Sequence, residues 1–313
     1  MITVTGSLAF DYIMNFPGKF GDHIMPDKIH EINLSFLVDS LKKQRGGTAG
    51  NIAFNLALLK APTQILGTVG NDFSSYKSFL KKSGVDTSFI KVIKDESTST
   101  AFITTDLINN QMSAFYPGAM NHVNFLKIEE IAEKPQFVVI SPTTPEAAVN
   151  FAKECKKLDV PYMLDPGMML PRISDDQLRI SIEGADILIG NDYEIALLKD
   201  RLKISDEQLL KQVKILIITK GAEGSIIKTP RETVEIRAAK PTEVVDPTGA
   251  GDAYRAGFLA GYLKGLNLKT CGQMGAITSC YAIEKYGTTA HRFTLKSFCQ
   301  RYKKNFKEEL DLT

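Results

Sequence analysis

No CxxC pair occurs among the four cysteines, Cys155, Cys271, Cys280 and Cys299, and no HxxxH or HExxH among the four histidines, His23, His30, His122 and His291. The cysteine gaps match no common zinc spacing, so a dedicated zinc site is not expected, and free thiols in a reducing cytosol are. The opening MITVTGSLAFDYIM lacks the basic and long apolar regions of a signal peptide. No apolar stretch approaches the roughly 20 residues a membrane span needs. The expectation is a cytoplasmic protein with no membrane partner. There is no excess charge of one sign: 38 basic against 36 acidic residues leave a formal charge of +2. A general nucleic-acid binder usually carries a strong positive excess, so nucleic acid is not expected as a partner. GxxxxGK[ST] and GxGxxG are both missing, which excludes a Walker-type P-loop and a dinucleotide fingerprint.

What remains is an ordinary globular composition, 43% hydrophobic and 24% charged over 313 residues, enough for one large domain or two modest ones. From about Phe137 onward, short apolar runs alternate with helical patterns. FVVIS, YMLD, ADILIGN and ILIITKG lack the polar alternation of a half-exposed strand and read as strands buried on both faces. TTPEAAVNFAKECKKL reads as a helix with Thr144 as N-cap and Pro145 in its first position. This order predicts an α/β fold with a mostly parallel sheet covered on both sides. Ligands of such sheets sit beyond the carboxyl ends of the strands, where Asp165, Asn191 and Thr219 fall. Two regions break the alternation. Asn15 to Asn33 is polar and punctuated by Pro and Gly. TSTAFITTD and QMSAFYP read as two short strands around a turn at Asn109 and Asn110. These regions can pair as a small accessory sheet.

The most informative segment is VVDPTGAGDAYRAGFLAGYLKG, Val244 to Gly265. It reads as a strand end passing through Asp246, Pro247 and Thr248 into Gly249-Ala250-Gly251-Asp252, then a helix to about Leu263. Unpaired amides at a helix start, with the helix dipole behind them, form an anion site. An aspartate inside that site would repel a resting phosphate. It makes sense as a general base that takes a proton from an attacking hydroxyl while the amides stabilise a transferring phosphoryl group. A plain helix cap explains GAGD alone but explains the full DPTGAGD less well. Ala253, Ala256, Gly257, Ala260 and Gly261 form a small-residue stripe suited to close helix packing. Arg255, about one turn after Asp252, can reach a phosphate or serve a salt bridge.

Several separated motifs in order make the chain resemble the ribokinase-like (PfkB) carbohydrate and nucleoside kinase family over nearly its whole length. GSLAFDYI resembles the opening strand whose aspartate, here Asp11, holds sugar hydroxyls. GGTAGN resembles the first signature, placing Gly46, Gly47 and Asn51 along the sugar. NDYE resembles the motif in which Asn191 and Glu194 organise magnesium, water and phosphate oxygens. TKGAEGS resembles the nucleotide-binding turn, with Thr219, Gly221 and Gly224. DPTGAGD resembles the second signature, with Asp252 as base and Gly249, Ala250 and Gly251 as anion hole. Simpler readings stay open: Asp11 as a turn residue, Gly46-Gly47 as a turn, and Asn191 with Glu194 as a helix cap and a surface charge.

The resemblance implies a ribokinase-like three-layer α/β/α body with a mostly parallel central sheet, formed by residues 1–9, 38–96 and 118–313. A small β-sheet lid would come from 10–37 and 97–117, and its closure would exclude water. It implies ATP and Mg2+ as cofactors, with Glu194 near the metal through water. Asp246, Thr248 and Gly287 fall where many members help hold K+. Pro247 departs from the more common DTTGAGD and removes a backbone donor. The local style resembles bacterial adenosine-kinase-type members, so adenosine, phosphorylated at its 5′-hydroxyl, is the first expected acceptor. A free sugar such as ribose or fructose is the alternative, and a non-catalytic nucleotide or sugar sensor a distant third. Phe36, Phe102, Met112, Ala114 and Tyr116 are candidates for a base slot, with Met112, Ala114 and Tyr116 on one strand face, unless they fill the lid's own core. The family permits a monomer or a homodimer.

Overall fold

The computed structural model describes residues 1–24, 34–108 and 110–312. Asn109 and residues 25–33 of the expected lid lie outside the described residues. The main sheet has nine strands in the order β13-β12-β11-β10-β9-β8-β1-β4-β5. They are β1 (Ile2–Thr5), β4 (Thr63–Val69), β5 (Ile90–Val92), β8 (Phe137–Ile140), β9 (Tyr162–Leu164), β10 (Ile187–Asn191), β11 (Ile215–Thr219), β12 (Ser225–Lys228) and β13 (Thr233–Ile236). All pair in parallel except β12, which is antiparallel to β11 and to β13.

Successive side chains of a strand point to opposite faces, and here both faces are apolar. Phe137 and Val139 of β8 join one core, while Val138 and Ile140 join the other. The first core is covered by α1 (Thr48–Leu58), α7 (Ala250–Leu263), α8 (Leu268–Ile283) and α9 (Leu295–Phe306). The second is covered by α3 (Pro145–Leu158), α4 (Asp175–Ile182) and α5 (Asp192–Leu202). This is the three-layer body expected from the uninterrupted apolar runs. Thr144 caps α3 by accepting the Ala147 amide, with Pro145 at the first position. The small-residue stripe is buried where α7 packs on α8. No helix of the described residues is long and apolar enough to cross a membrane.

A second sheet has four strands in the order β3-β2-β6-β7. They are β2 (Ala9–Asn15), β3 (Ser40–Gly46), β6 (Ser99–Thr105) and β7 (Gln111–Tyr116). The two early-chain and later-chain segments do pair, β2 running parallel to β6. Ser40–Gly46 belongs to this sheet as well, although the sequence boundaries place it in the body. Its run of charge, SLKKQRG, masks the strand because it pairs along β2 in a mostly exposed setting. The expected strand before Asp246 is absent. Val244 and Val245 are exposed, and the amides of Val245 and Asp246 donate to the Ile283 carbonyl at the end of α8. Pro241 and Pro247 bracket this stretch and supply no ladder donors.

Candidate active site

The site lies at the carboxyl ends of the central strands. Asp165 follows β9, Asn191 ends β10, Thr219 ends β11, and the start of α7 faces them. Gly249 precedes α7 with φ of 80°, a left-handed conformation that favours glycine. A Cβ there would come within 2.9 Å of Thr288 Cγ2. The turn leaves the amides of Gly251 and Asp252 without a protein acceptor among the described residues. These are the donors an anion at the helix start would take.

Asp252 is held by its neighbours. Asn51 Nδ2 donates to Asp252 Oδ2 at 2.8 Å, and Thr288 Oγ1 donates to Asn51 Oδ1 at 2.7 Å. Asn51 is therefore committed at both ends of its amide. Burial pushes the Asp252 carboxyl up to about 7; nearby Arg255 and the Asn51 bond pull down, while Asp165 and Asp11 push up. A carboxylate poised near neutrality has the proton affinity a general base needs.

Asp11 on β2 faces the same space. Its carboxylate covers the α-carbon of Gly46, where a Cβ would come within 2.2 Å of Asp11 Oδ2. Burial, with Asp246 adding repulsion, pushes Asp11 up to about 6. Asp246 does not open into a strand; its two oxygens accept the Thr248 amide at 2.9 Å and the Gly287 amide at 3.0 Å. The carboxylate thereby ties the loop before α7 to the segment after α8.

Asn191 and Glu194 form a capping box at the start of α5. Asn191 Oδ1 accepts the Glu194 amide and Glu194 Oε2 accepts the Asn191 amide, each at 2.8 Å. The cap and the functional reading are compatible, because both residues also line a pocket of about 320 Å³ with Asp165, Gly249, Gly251, Asp252 and Arg255. Burial raises the Glu194 carboxyl, Asp165 adds to the rise, and the Asn191 amide and Arg255 oppose it. A larger cavity of about 550 Å³ adjoins this pocket and shares Thr219, Gly221 and Gly251 with it. Its walls include Gly224, Ala250, Ala222, Ala239, Val244, Tyr254, Ala276 and Ile283, so it is mainly apolar. A charged pocket and an apolar cavity thus meet at the α7 start.

The base-slot candidates fall elsewhere. Tyr12 pairs with Phe102, and Phe102 pairs with Ala114 in register. Met112, Ala114 and Tyr116 share one face as their spacing requires, and Phe102 joins them. It is the face of Tyr12, whose ring stacks on Phe102 at 5.4 Å, and is opposite to that of Asp11. One residue of parity separates the two faces. Ile13, Ala101, Ile103, Ser113 and Phe115 share the Asp11 face instead. Phe36 packs against Phe16, Phe20 and His23 in a separate aromatic cluster.

Three residues of the site lie outside the family motifs. Thr288 orients Asn51; it lies in KYGTTAH, one place beyond Gly287. Asp165 carries an ion pair to Arg255, 2.6 Å from Oδ2 to Nε, with both side chains buried. The sequence signal for Arg255 is a lone guanidinium inside the apolar and small-residue run of α7. It is neither at the surface nor free of a partner.

A nine-stranded α/β body with a small second sheet, and an open helix start at the strand ends, is the ribokinase-like fold. A model of the pfkB family carbohydrate kinases matches residues 11–293, and the chain belongs to that family. It is 34% identical to a nucleoside kinase of Methanocaldococcus jannaschii, over 97% of each chain. It also superposes on the nucleoside kinase of Burkholderia thailandensis in complex with inosine, with a TM-score of 0.90, 34% identity and 99% of each chain covered. A structure of that enzyme in complex with ADP-inosine gives a TM-score of 0.88 at 35% identity, covering 99% of this chain and 97% of the other.

Proposed function

We propose that this protein transfers the γ-phosphoryl group of ATP to the 5′-hydroxyl of a purine nucleoside, with adenosine giving AMP as the leading reaction. The observation that carries the reading is Asp252, a partly buried carboxylate poised near pH 7 at a helix start with free amides. The likeness to nucleoside kinases over nearly the full length supports the acceptor class.

In this reading the apolar cavity takes the adenine and ribose of ATP, and the shared wall at Thr219, Gly221 and Gly251 leads its phosphates to α7. Asp11 orients the acceptor's ribose hydroxyls over Gly46 and Gly47. Asp252 takes the proton of the 5′-hydroxyl as that oxygen attacks, and the Gly249–Asp252 backbone receives the transferring group. Positioning and electrostatics supply most of the acceleration in such transfers. The small sheet acts as a lid that excludes competing water.

Mg2+ fits the residues present. Glu194 is a partly buried carboxylate near a second one, Asp165, and a divalent cation would relieve both. No group of three metal-ligating side chains converges among the described residues. That suits an ion held mainly by phosphate oxygens and water, with Glu194 in support. Bound with the nucleotide, it would neutralise phosphate charge. Asp246, Thr248 and Gly287 would border K+ beside the anion hole, since one carboxylate already draws these two loop segments together.

A free sugar such as ribose or fructose is the competing acceptor, favoured by the polar Gln44 and Ser113 on the Asp11 face. The test is ADP release with ATP, Mg2+ and K+ across adenosine, inosine, cytidine, ribose and fructose. Turnover with adenosine or inosine is expected. Turnover with ribose or fructose alone overturns the nucleoside reading, and binding without any turnover would leave a sensor.

A further inference from the structure

Arg255 is the single cationic side chain among the described residues lining the transfer pocket, against three carboxylates, Asp165, Glu194 and Asp252. Asp11 adds a fourth negative group facing Asp252. A polyanionic triphosphate entering such a pocket meets repulsion that two amides only partly offset. The geometry of Arg255 answers this. Its Nε end is engaged by Asp165 Oδ2 at 2.6 Å, in an ion pair whose N–H is not aligned for a hydrogen bond. Its Nη1 lies beside the anion hole, 2.8 Å from where a Cβ on Gly251 would stand. Neither Nη atom makes a hydrogen bond among the described residues. The guanidinium is fixed at its root, and its planar fork is left for a ligand. That fork matches the oxygens of a phosphoryl group.

We propose that Arg255 is a catalytic residue that donates both Nη groups to the transferring phosphoryl group, with Asp165 as the positioning residue that aims it. The step rests on the kinase reading above. The 5′-oxygen forms its bond to the γ-phosphorus while the 5′-hydroxyl proton passes to Asp252. The bond from that phosphorus to the β,γ-bridging oxygen breaks, and its electron pair leaves on ADP. Arg255 forms and breaks no covalent bond and keeps its proton throughout. Its contacts strengthen as charge spreads over the phosphoryl oxygens, so the contribution belongs to the transition state.

The experiment compares wild type, Arg255→Met and Arg255→Lys with ATP, Mg2+ and the best purine nucleoside, by steady-state kinetics from pH 5.5 to 9. Loss of a transition-state donor of this kind is worth about 10²–10³ in kcat. Arg255→Met is expected to show that loss with both KM values within about threefold. Arg255→Lys is expected to fall between it and wild type. Added guanidinium ion should restore part of the Arg255→Met rate. The acid limb should move to higher pH, because Asp252 loses its nearest cation while Asp165, Glu194 and Asp11 remain. Because Arg255→Met strands the buried Asp165 charge, an Asp165→Asn/Arg255→Met double variant is measured beside it. Its kcat should be as low as that of Arg255→Met, again with guanidinium rescue.

Wild-type kcat in either variant overturns the proposal. So does a loss that tracks a falling Tm, with an unmoved acid limb and no rescue, which would mark a purely structural ion pair. Failure of the kinase reading looks different: wild type itself would release no ADP with any acceptor.

Discussion

The two sheets of this molecule hold site residues in opposite settings. The large sheet is apolar on both faces, and its strand ends hold Asp165, Asn191 and Thr219 against α7. The small sheet has an outermost strand, β7, exposed along its entire length, and it contributes Asp11 from a partly buried strand. Groups set in the first environment cannot move without disturbing close-packed neighbours. Groups in the second can follow a ligand. The difference teaches a division of labour: changes at the large-sheet site should appear in kcat, and changes on the small sheet in the acceptor's KM.

The largest effect should come from the buried side of that comparison. Asp252→Asn is expected to bind ATP and nucleoside normally but lose about 10³-fold or more in kcat, in the range set by loss of a general base. Binding titrations beside turnover check it, and retained turnover would remove Asp252 from the role of base. Next in size is the pH profile. Only deprotonated Asp252 accepts a proton, and its carboxyl titrates at about 7, so kcat/KM of the wild type should rise through neutrality. Below that point the slope should approach about tenfold per pH unit. A flat profile from pH 5.5 to 8 would contradict it.

The small sheet offers a sharper contrast within itself. Phe115→Ala, on the Asp11 face, should raise the nucleoside KM about tenfold, the value of a lost aromatic contact of roughly 1.4 kcal/mol, and leave kcat nearly unchanged. Phe102→Ala, on the opposite face, should change neither by more than about twofold, as for an exposed group outside the site. Reversal of these two results would mean that the Tyr12 face meets the acceptor.

The smallest effect lies in the body away from the chemistry. Burial, aided by Arg292, holds His291 down to about 4. Its Nε2 meets Asn55 Oδ1 at 2.7 Å. The unfolded chain binds a proton there below about 6.5, while the folded chain stays neutral until about 4. Between these values stability therefore rises with pH. The contribution is complete above about 6.5 and falls by up to roughly 3 kcal/mol as pH drops to 4. Asp252 acts with the opposite sign in the same range, because its raised carboxyl binds protons in the folded state first. The difference in Tm between wild type and His291→Asn, followed from pH 7 to 5, isolates the histidine. A difference independent of pH would refute its neutral burial.

Much of the body is legible in the amino-acid order. Val138 and Val139 are adjacent and both apolar, so no face of β8 can meet water, and a sheet covered twice follows. Gly249, Gly251 and Asp252 are legible as a helix start with an acid inside it. Ser40–Gly46 is not, because LKKQR carries the charges of a loop while its backbone pairs with β2. Val244 and Val245 mislead in the other direction. Their β propensity is high, yet the carbonyl of Ile283 satisfies the local amides. The strand spacing of Met112, Ala114 and Tyr116 correctly puts them on one face, but that face is the one turned away from Asp11. Spacing within one strand settles which residues share a face, and only the register between strands settles which face holds Asp11.

The amino-acid order by itself determined the layers, the strand ends and the glycine turn that opens α7. These depend on local periodicity and on backbone conformations that few residues adopt. Only the tertiary structure decided the rest: that Thr288, 237 positions from Asn51, fixes the amide that Asn51 donates to Asp252; that Arg255 turns inward to Asp165; and that Asp11 looks toward the site while Phe102 looks away. Those outcomes hinge on contacts between distant segments, and on burial that sets proton affinities. No local pattern encodes either.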